Sequence, residues 1–328
     1  MSDFYDMTTL DSLFMCWLNA KKNKSANGRV QRFAEDPLNY LIKIQDRLRN
    51  RAYSFGPYKT FVVREKKWRD VVDAPMKDRV VHWMLYSYLL PIWSKRFIHD
   101  TYGNLPGRGT TAAVKRLADF CRKDDAQWVL QVDISKYFYA IPHETLKAKV
   151  LRYVGDHDLR NLLSTLIDSF RTGNNYDHLF DLDTLYRRNS AKGMPIGNLT
   201  SQLFANVYLN DLDHWIKEVL RVKYYIRYVD DIVILSNSKS ELQSLCAKLK
   251  DALTELGLTI HPKKIRLAPT ASGVPFLGYV VWSTHISAGN RIRSRFHYRL
   301  RQHESGVVDC SQALNSYKAA LSHTGSTL

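Results

Sequence analysis

The chain of 328 residues is 45% hydrophobic and 24% charged, a globular balance with length for a large core and two or three subdomains. Its 48 Lys and Arg against 32 Asp and Glu leave a formal charge of +16, which predicts a polyanionic partner, either nucleic acid or a membrane surface. A membrane is disfavoured, because there is no apolar run of about 18 residues and the start, Met1-Ser2-Asp3-Phe4-Tyr5-Asp6, is acidic and unlike a signal peptide.

Residues 1–55 read as helical, with Asp36-Pro37 as an N-cap and first-turn proline and with Leu38, Leu41, Ile42 and Leu48 at helical spacing. Two β-branched runs, Tyr58 to Arg64 and Arg69 to Asp73, form a hairpin with the basic tip Glu65-Lys66-Lys67-Trp68. A long amphipathic helix follows from Met76 to Phe97, broken near Pro91. Trp128 to Asp133 is a buried strand that stays apolar until it meets an aspartate. Helices follow over about Glu144–Tyr153 and Leu159–Phe170, then a polar loop or insertion over 171–192 and a helix from Thr200 to Leu220. Past the Tyr228 hairpin, Ser238 to Leu256 is a helix stopped by Gly257. A strand pair lies near Pro275–Trp282, and the chain closes with a basic helix and a short helix around Gln312–Leu321. Cys16, Cys121, Cys246 and Cys310 lie far apart, which suggests neither a zinc site nor a disulfide frame and suits a reducing cytosol.

The chemistry concentrates at Tyr228-Val229-Asp230-Asp231, set in the strand-like run Tyr224 to Leu235. Adjacent aspartates are disfavoured in a strand, where like charges repel. A tight β-hairpin whose tip offers carboxylates to divalent cations resolves that conflict. Asp133 is the natural third member, since a carboxylate closing a buried strand must be solvated, paired or on a metal.

Five segments then resemble the reverse transcriptase family, in the family's order. They are Asp133-Ile134-Ser135-Lys136-Tyr137-Phe138, Gly193-Met194-Pro195-Ile196-Gly197-Asn198-Leu199-Thr200-Ser201-Gln202, Tyr228-Val229-Asp230-Asp231, Leu258-Thr259-Ile260-His261-Pro262-Lys263-Lys264 and Phe276-Leu277-Gly278-Tyr279. With Lys67, Arg69 and Asp78-Arg79-Val80-Val81 the resemblance covers about residues 55–285, and it is to the bacterial, group-II-intron-like branch. It implies an α+β right-hand polymerase whose palm is an antiparallel sheet packed on helices. The division it implies is an N-terminal helical extension over 1–55, fingers and palm over 56–285, and a short basic helical thumb over 286–328.

The resemblance also implies roles. Asp133, Asp230 and Asp231 are catalytic and hold two Mg2+ or Mn2+ ions, with Ile134 among the metal-contacting positions. Lys67 and Arg69 contact the triphosphate of the incoming nucleotide, a task that suits an ammonium and a bidentate guanidinium. Phe138 stands at the steric gate that crowds a ribose 2′-hydroxyl. Ile196 and Gly197 approach the nucleotide or template, and Lys264 serves the pyrophosphate leaving group. Phe276, Leu277 and Gly278 form a primer grip, and Arg291, Arg293, Arg295 and Arg299 follow the duplex backbone.

Most relatives carry Gln before the glycine of the second segment and Pro after its Ser, where this chain has Ile196 and Gln202. This form resembles diversity-generating retroelement enzymes and stand-alone, defence-associated bacterial reverse transcriptases. Tyr102-Gly103-Asn104-Leu105-Pro106-Gly107-Arg108-Gly109 lacks the Cys-Arg-Lys run usual in the former, and 171–192 is longer than their connection. The expectation is therefore a cytoplasmic RNA-directed DNA polymerase that makes cDNA from a cognate structured non-coding RNA in anti-phage defence. The alternative is mutagenic retrohoming by a diversity-generating retroelement, and a further one is template-independent or protein-primed synthesis. Partners implied are the RNA, its DNA product, dNTPs, and an accessory protein or second copy. No ribonuclease H cluster or His-Asn-His pattern accompanies the polymerase motifs.

Overall fold

Side-chain caps start the first helices. In the computed structural model, which describes residues 3–24, 26–64, 68–171, 191–306 and 309–322, α1 (Asp3–Met7) is followed by α2 (Leu10–Lys21), α3 (Gly28–Glu35) and α4 (Pro37–Arg49). Thr9, Asn27 and Asp36 each accept a backbone N–H in the first turn of the helix they precede, and Pro37 takes the position where a missing N–H costs nothing. The buried stripe of α4 is Leu41, Ile44 and Leu48; Leu38 and Ile42, expected on it, are 55% and 39% exposed.

In chain order there follow β1 (Lys59–Arg64), β2 (Trp68–Asp73), α5 (Met76–Ser94), β3 (Thr101–Tyr102), α6 (Thr110–Cys121), β4 (Trp128–Asp133), α7 (Tyr137–Ala140), α8 (His143–Val150) and α9 (His157–Asp168). Then come α10 (Leu199–Tyr208), α11 (Asn210–His214), a π turn (Trp215–Val219), β5 (Tyr224–Tyr228), β6 (Asp231–Ser236) and α12 (Lys239–Glu255). The chain continues through β7 (Arg266–Pro269), β8 (Val274–Phe276), β9 (Tyr279–Val281), β10 (Ile286–Ala288), α13 (Asn290–Glu304) and α14 (Ser311–Ser322). The insertion expected over 171–192 falls almost wholly outside the described residues. The helix expected from Thr200 to Leu220 is divided at Leu209.

These elements form two units. The first gathers residues 1–97, 136–210 and 256–258. Within it α5 packs against α2 and α10, and β1 and β2 form the expected antiparallel hairpin. Pro91 does not break α5. The carbonyl that loses its donor belongs to Ser87, which is exposed, so water can replace the lost hydrogen bond. Buried Asp78 of α5 accepts hydrogen bonds from Tyr53 Oη and the Gly56 N–H, both at 2.7 Å, which fastens the segment before β1 to the helix.

The second unit gathers residues 98–135, 211–255 and 259–328. Its five-stranded sheet runs β3-β5-β6-β4-β7, antiparallel except for the short parallel pair β3–β5. Ala113, Val114, Leu117 and Cys121 of α6 pack with Val129, Ile226, Val233 and Leu235 of the sheet and with Val274, Phe276 and Val281 of the smaller sheet β10-β9-β8. Helix α12 buries Leu242, Leu245, Leu249 and Leu253, every third or fourth residue, and packs on β4 and β6. All four cysteines are free, and Cys16, Cys121 and Cys310 are buried. Among the described residues no helix is long and apolar enough to cross a membrane.

Candidate active site

The sheet of the second unit brings its aspartates to one end. Tyr228 and Asp231 pair across β5–β6, leaving Val229 and Asp230 as the hairpin tip, with Val229 at φ +55°. Asp231 also pairs with Asp133 across β6–β4. The Ile134 N–H donates to the Asp230 carbonyl at 3.3 Å, so the tip is laced to the end of β4; the Ile134 side chain itself is buried. Thr259 to Lys264 runs along the same end: Ser135 N–H donates to Thr259 O and His261 N–H to Asp133 O, both at 2.8 Å.

Electrostatics marks the place as short of positive charge. Burial pushes the Asp231 carboxyl up to about 7, with the charges of Asp230 and Asp133 adding to the shift and Lys264 opposing it. Lys264, at the end of a short 3-10 turn, donates from Nζ to Asp133 Oδ2 at 2.5 Å. The donor set is one of hard carboxylate oxygens, the type that Mg2+ and Mn2+ take, and an ammonium already sits on one of them. By chemistry the set suits a divalent ion. Among the described residues, though, no three His, Cys, Asp or Glu side chains stand close enough to hold one as they are. Carboxylates without a cation between them repel, and Lys264 neutralises one of the three.

Beside these aspartates lies a cleft of about 400 Å³ lined by Gln131, Asp133, Asp231, Lys264, Arg266 and Phe276, among others. Leu277 (φ +51°) and Gly278 (φ +91°) form the two-residue turn between β8 and β9, a type I′ geometry that glycine favours. Gln131 Nε2 of β4 donates to Pro275 O at 2.7 Å and so ties this turn to the strand that ends in Asp133.

The first unit holds a separate group. Half-buried Phe138 stands edge-on to Tyr137, whose hydroxyl donates to Ala205 O at 2.6 Å. The Phe138 carbonyl accepts the Met194 N–H at 2.6 Å, and Ile196 O accepts the Val72 N–H at 2.8 Å. The segment from Gly193 to Gly197 is thereby strung from α7 to β2. Gly197 has φ +115°, and a Cβ there would lie 2.8 Å from Val72 O. The close approach that demands this glycine is therefore met within the protein, by the β2 backbone. Arg69 pairs with Val63 through its backbone, and Lys67 lies outside the described residues.

A sequence profile described as "Reverse transcriptase (RNA-dependent DNA polymerase)" matches residues 56–281, well over half of the chain. The chain belongs to the reverse transcriptase family. It is 24% identical to protein YkfC of Escherichia coli (strain K12) over 250 residues, 65% of this chain and 63% of that protein. It is 21% identical to an uncharacterized 91 kDa protein in the cob intron of Schizosaccharomyces pombe over 349 residues, 88% of this chain and 41% of that protein. The chain thus spans less than two thirds of either relative. Among solved structures, apo telomerase from Candida tropicalis superposes with a TM-score of 0.51 at 9% identity, over 72% of this chain and 49% of that one. This likeness is one of fold, and with the profile it places the chain in the α+β right-hand polymerase class.

Two further features of the chain bear on the site. On α13, Arg291, Arg295 and Arg299 follow at four-residue spacing along one face, with Arg293 on another; Arg293, Arg295 and Arg299 are exposed. Arg227 and Asp213, absent from the sequence-derived site, form a buried ion pair, and Arg227 also donates to the carbonyl of Val229 in the Asp230-Asp231 hairpin turn. The signal for them is an arginine inside a strand that is otherwise aromatic and apolar.

Proposed function

We propose that the chain is an RNA-directed DNA polymerase that extends a primer on a cognate structured RNA with dNTPs, using Mg2+ or Mn2+. The observation that carries this reading is the register that pairs Asp133 with Asp231 and laces the Asp230 tip to Ile134. Asp133, Asp230 and Asp231, with Ile134 beside them, would hold the divalent ions. Bound there, the ions supply activation of the primer 3′-hydroxyl and neutralisation of the departing pyrophosphate. Lys264, once released from Asp133, keeps a proton at Nζ for that leaving group. Phe138 crowds a ribose 2′-hydroxyl, Lys67 and Arg69 take the triphosphate, and Ile196 and Gly197 flank the nascent pair. Phe276, Leu277 and Gly278 seat the primer terminus. The arginines of α13 neutralise phosphates of the product duplex, in keeping with the charge of +16. The domain roles follow: helical extension 1–55, fingers and palm 56–285, thumb 286–328.

For the biological role we propose anti-phage defence through cDNA made in the cytoplasm. Support comes from Ile196 and Gln202, from the Tyr102–Gly109 segment without Cys-Arg-Lys, and from the length of 171–192. The same Ile196-Gly197 form also favours a second reading, mutagenic copying for a diversity-generating retroelement, with an accessory protein.

Primer extension on poly(rA)/oligo(dT) tests the chemistry. The wild-type chain should incorporate labelled dTTP with Mg2+ or Mn2+, and Asp230→Asn should abolish incorporation; an inactive wild type or an active variant overturns the reading. Phage plaque counts on cells carrying the locus, with and without Asp230→Asn, test the role. Equal plaquing, together with a template-repeat pair beside the gene, would replace defence with diversification.

A further inference from the structure

Arg227 is the next-to-last residue of β5, and its side chain and that of Asp213 on α11 are both 0% exposed. Arg227 Nε donates to Asp213 Oδ1 at 2.7 Å and Nη2 donates to Oδ2 at 2.5 Å, a bidentate fork. Asp213 accepts two more hydrogen bonds, from the Tyr225 hydroxyl at 2.5 Å and Thr101 Oγ1 at 2.8 Å. Tyr225 and Arg227 are two apart on β5 and so share the face that meets Asp213. Four donors on one carboxylate is the satisfaction that a buried charge requires.

Net stability is a weak reason for such a pair. A buried ion pair is often no more stabilising than well-packed apolar side chains of the same volume. The remaining guanidinium nitrogen shows what the pair is aimed at. Arg227 Nη1 donates to the carbonyl of Val229 at 2.9 Å. Val229 is β-branched and left-handed, at φ +55°, a conformation that costs about 1–2 kcal/mol or more for such a residue. Its N–H donates to Tyr102 O at 3.2 Å. Its side chain lies over Gly103, where a Cβ would come within 2.7 Å of Val229 Cγ2. A strained residue persists only where its surroundings over-determine it, and Val229 is held at both backbone polar groups and at its side chain. The next two residues are Asp230 and Asp231.

We propose that Arg227, oriented by Asp213, is a positioning residue: through the Val229 carbonyl it fixes the turn that aims the Asp230 and Asp231 carboxylates at their cations. This rests on the reading of those aspartates as the polymerase metal site. The guanidinium touches neither substrate nor metal; it acts on the backbone one residue before the ligand, and the buried Asp213 keeps its fork from turning away.

The test combines Arg227→Gln with Asp213→Asn, which removes both buried charges together and leaves a side-chain amide on α11 able to bond Thr101 and Tyr225. Two readouts are taken: Mn2+ binding by electron paramagnetic resonance in the absence of nucleotide, and primer extension on poly(rA)/oligo(dT) across a Mg2+ titration. Supporting parts of metal sites are typically worth about 10–100-fold, so Mn2+ affinity should fall by about ten-fold, half-activating Mg2+ should rise similarly and kcat should drop by about 30-fold or more. Affinity for primer–template without divalent ions should stay within about two-fold, because the duplex-binding surface is untouched. A folded double variant with wild-type Mn2+ affinity and Mg2+ dependence overturns the proposal. Gly103→Ala provides the second route, since it displaces Val229 without touching a buried charge. It should give the same loss of Mn2+ affinity, and unchanged Mn2+ binding there overturns the proposal even if the double variant does not fold. A wild-type chain that binds Mn2+ but extends no primer would sink the polymerase reading alone, leaving the Mn2+ comparison to decide the role of Arg227.

Discussion

Lys264 donates from Nζ to Oδ2 of Asp133 across 2.5 Å, so the carboxylate that closes β4 already carries a cation from its own chain. An ammonium on that oxygen competes with any divalent ion that needs it. Lys264→Met should therefore tighten Mn2+ binding in the absence of nucleotide, by about three- to ten-fold, since a pair this exposed is worth about 1 kcal/mol. The same substitution should slow primer extension by about a hundred-fold, the usual scale for losing a proton donor to a leaving group. Calorimetric Mn2+ titration beside single-turnover extension separates the effects; unchanged Mn2+ affinity would show that the contact does not compete.

Asp231 links activity to a stability cost. Its carboxyl is pushed from an ordinary 3.8 up to about 7, chiefly by burial and then by Asp230 and Asp133. The folded state thus holds the proton more tightly than the unfolded one. The stabilisation is fully present below about 3.8 and is lost as pH rises through about 7. Asp231→Asn removes this loss. With a chelator at about pH 8 the variant should be more stable than wild type in urea, by up to about 4 kcal/mol, while polymerisation disappears. A variant less stable than wild type at that pH would mean that the Asp231 carboxylate is not destabilising.

Much of this arrangement is legible in the chain itself. The apolar run ending in Asp133 and the β-branched run around Asp230-Asp231 specify strands with carboxylates at their ends, and Asp36-Pro37 specifies a helix start. What escapes is what depends on distant partners. Strand β10, Ile286–Ala288, is three residues with no alternation to read, and it exists by pairing with β9. Arg227 and Asp213 meet only because β5 and α11 do, and no spacing announces the contact. Gly197 is visible as a glycine, but the oxygen that forbids a side chain there belongs to Val72 of β2. Ile44 takes the buried face of α4 ahead of Leu38 and Ile42 because tertiary packing chooses among several apolar stripes.

Gly197→Ala follows from that contact. The new Cβ would meet Val72 O at 2.8 Å in a backbone of φ +115°, and neither the oxygen nor the dihedral can give cheaply. A loss of about 2–4 kcal/mol is expected, with the Val72 N–H released from Ile196 O. Urea denaturation and hydrogen exchange at Val72 measure the two together. Loss of activity with an unchanged exchange rate would instead place the role of this glycine at the bound nucleotide.

His82 produces the opposite pH dependence to Asp231. Its ring lies wholly inside α5's packing, with Nδ1 2.8 Å from Thr200 Oγ1. Burial, helped by the charge of Arg79, pushes it down from 6.5 to about 3. The unfolded chain therefore takes up the proton first. Stability from this group is complete above about 6.5 and falls as pH drops towards about 3, by as much as about 5 kcal/mol over the whole span. Between about pH 4 and pH 6.5 the Asp231 and His82 contributions run in opposite directions and offset each other in the wild-type protein. His82→Gln keeps a hydrogen-bonding partner for Thr200 without a titrating ring. It should unmask the Asp231 effect as stability that falls steadily with rising pH, whereas Asp231→Asn should unmask His82 as stability that rises. Urea midpoints for the three proteins across that window decide it: parallel profiles would mean that neither group titrates differently on folding.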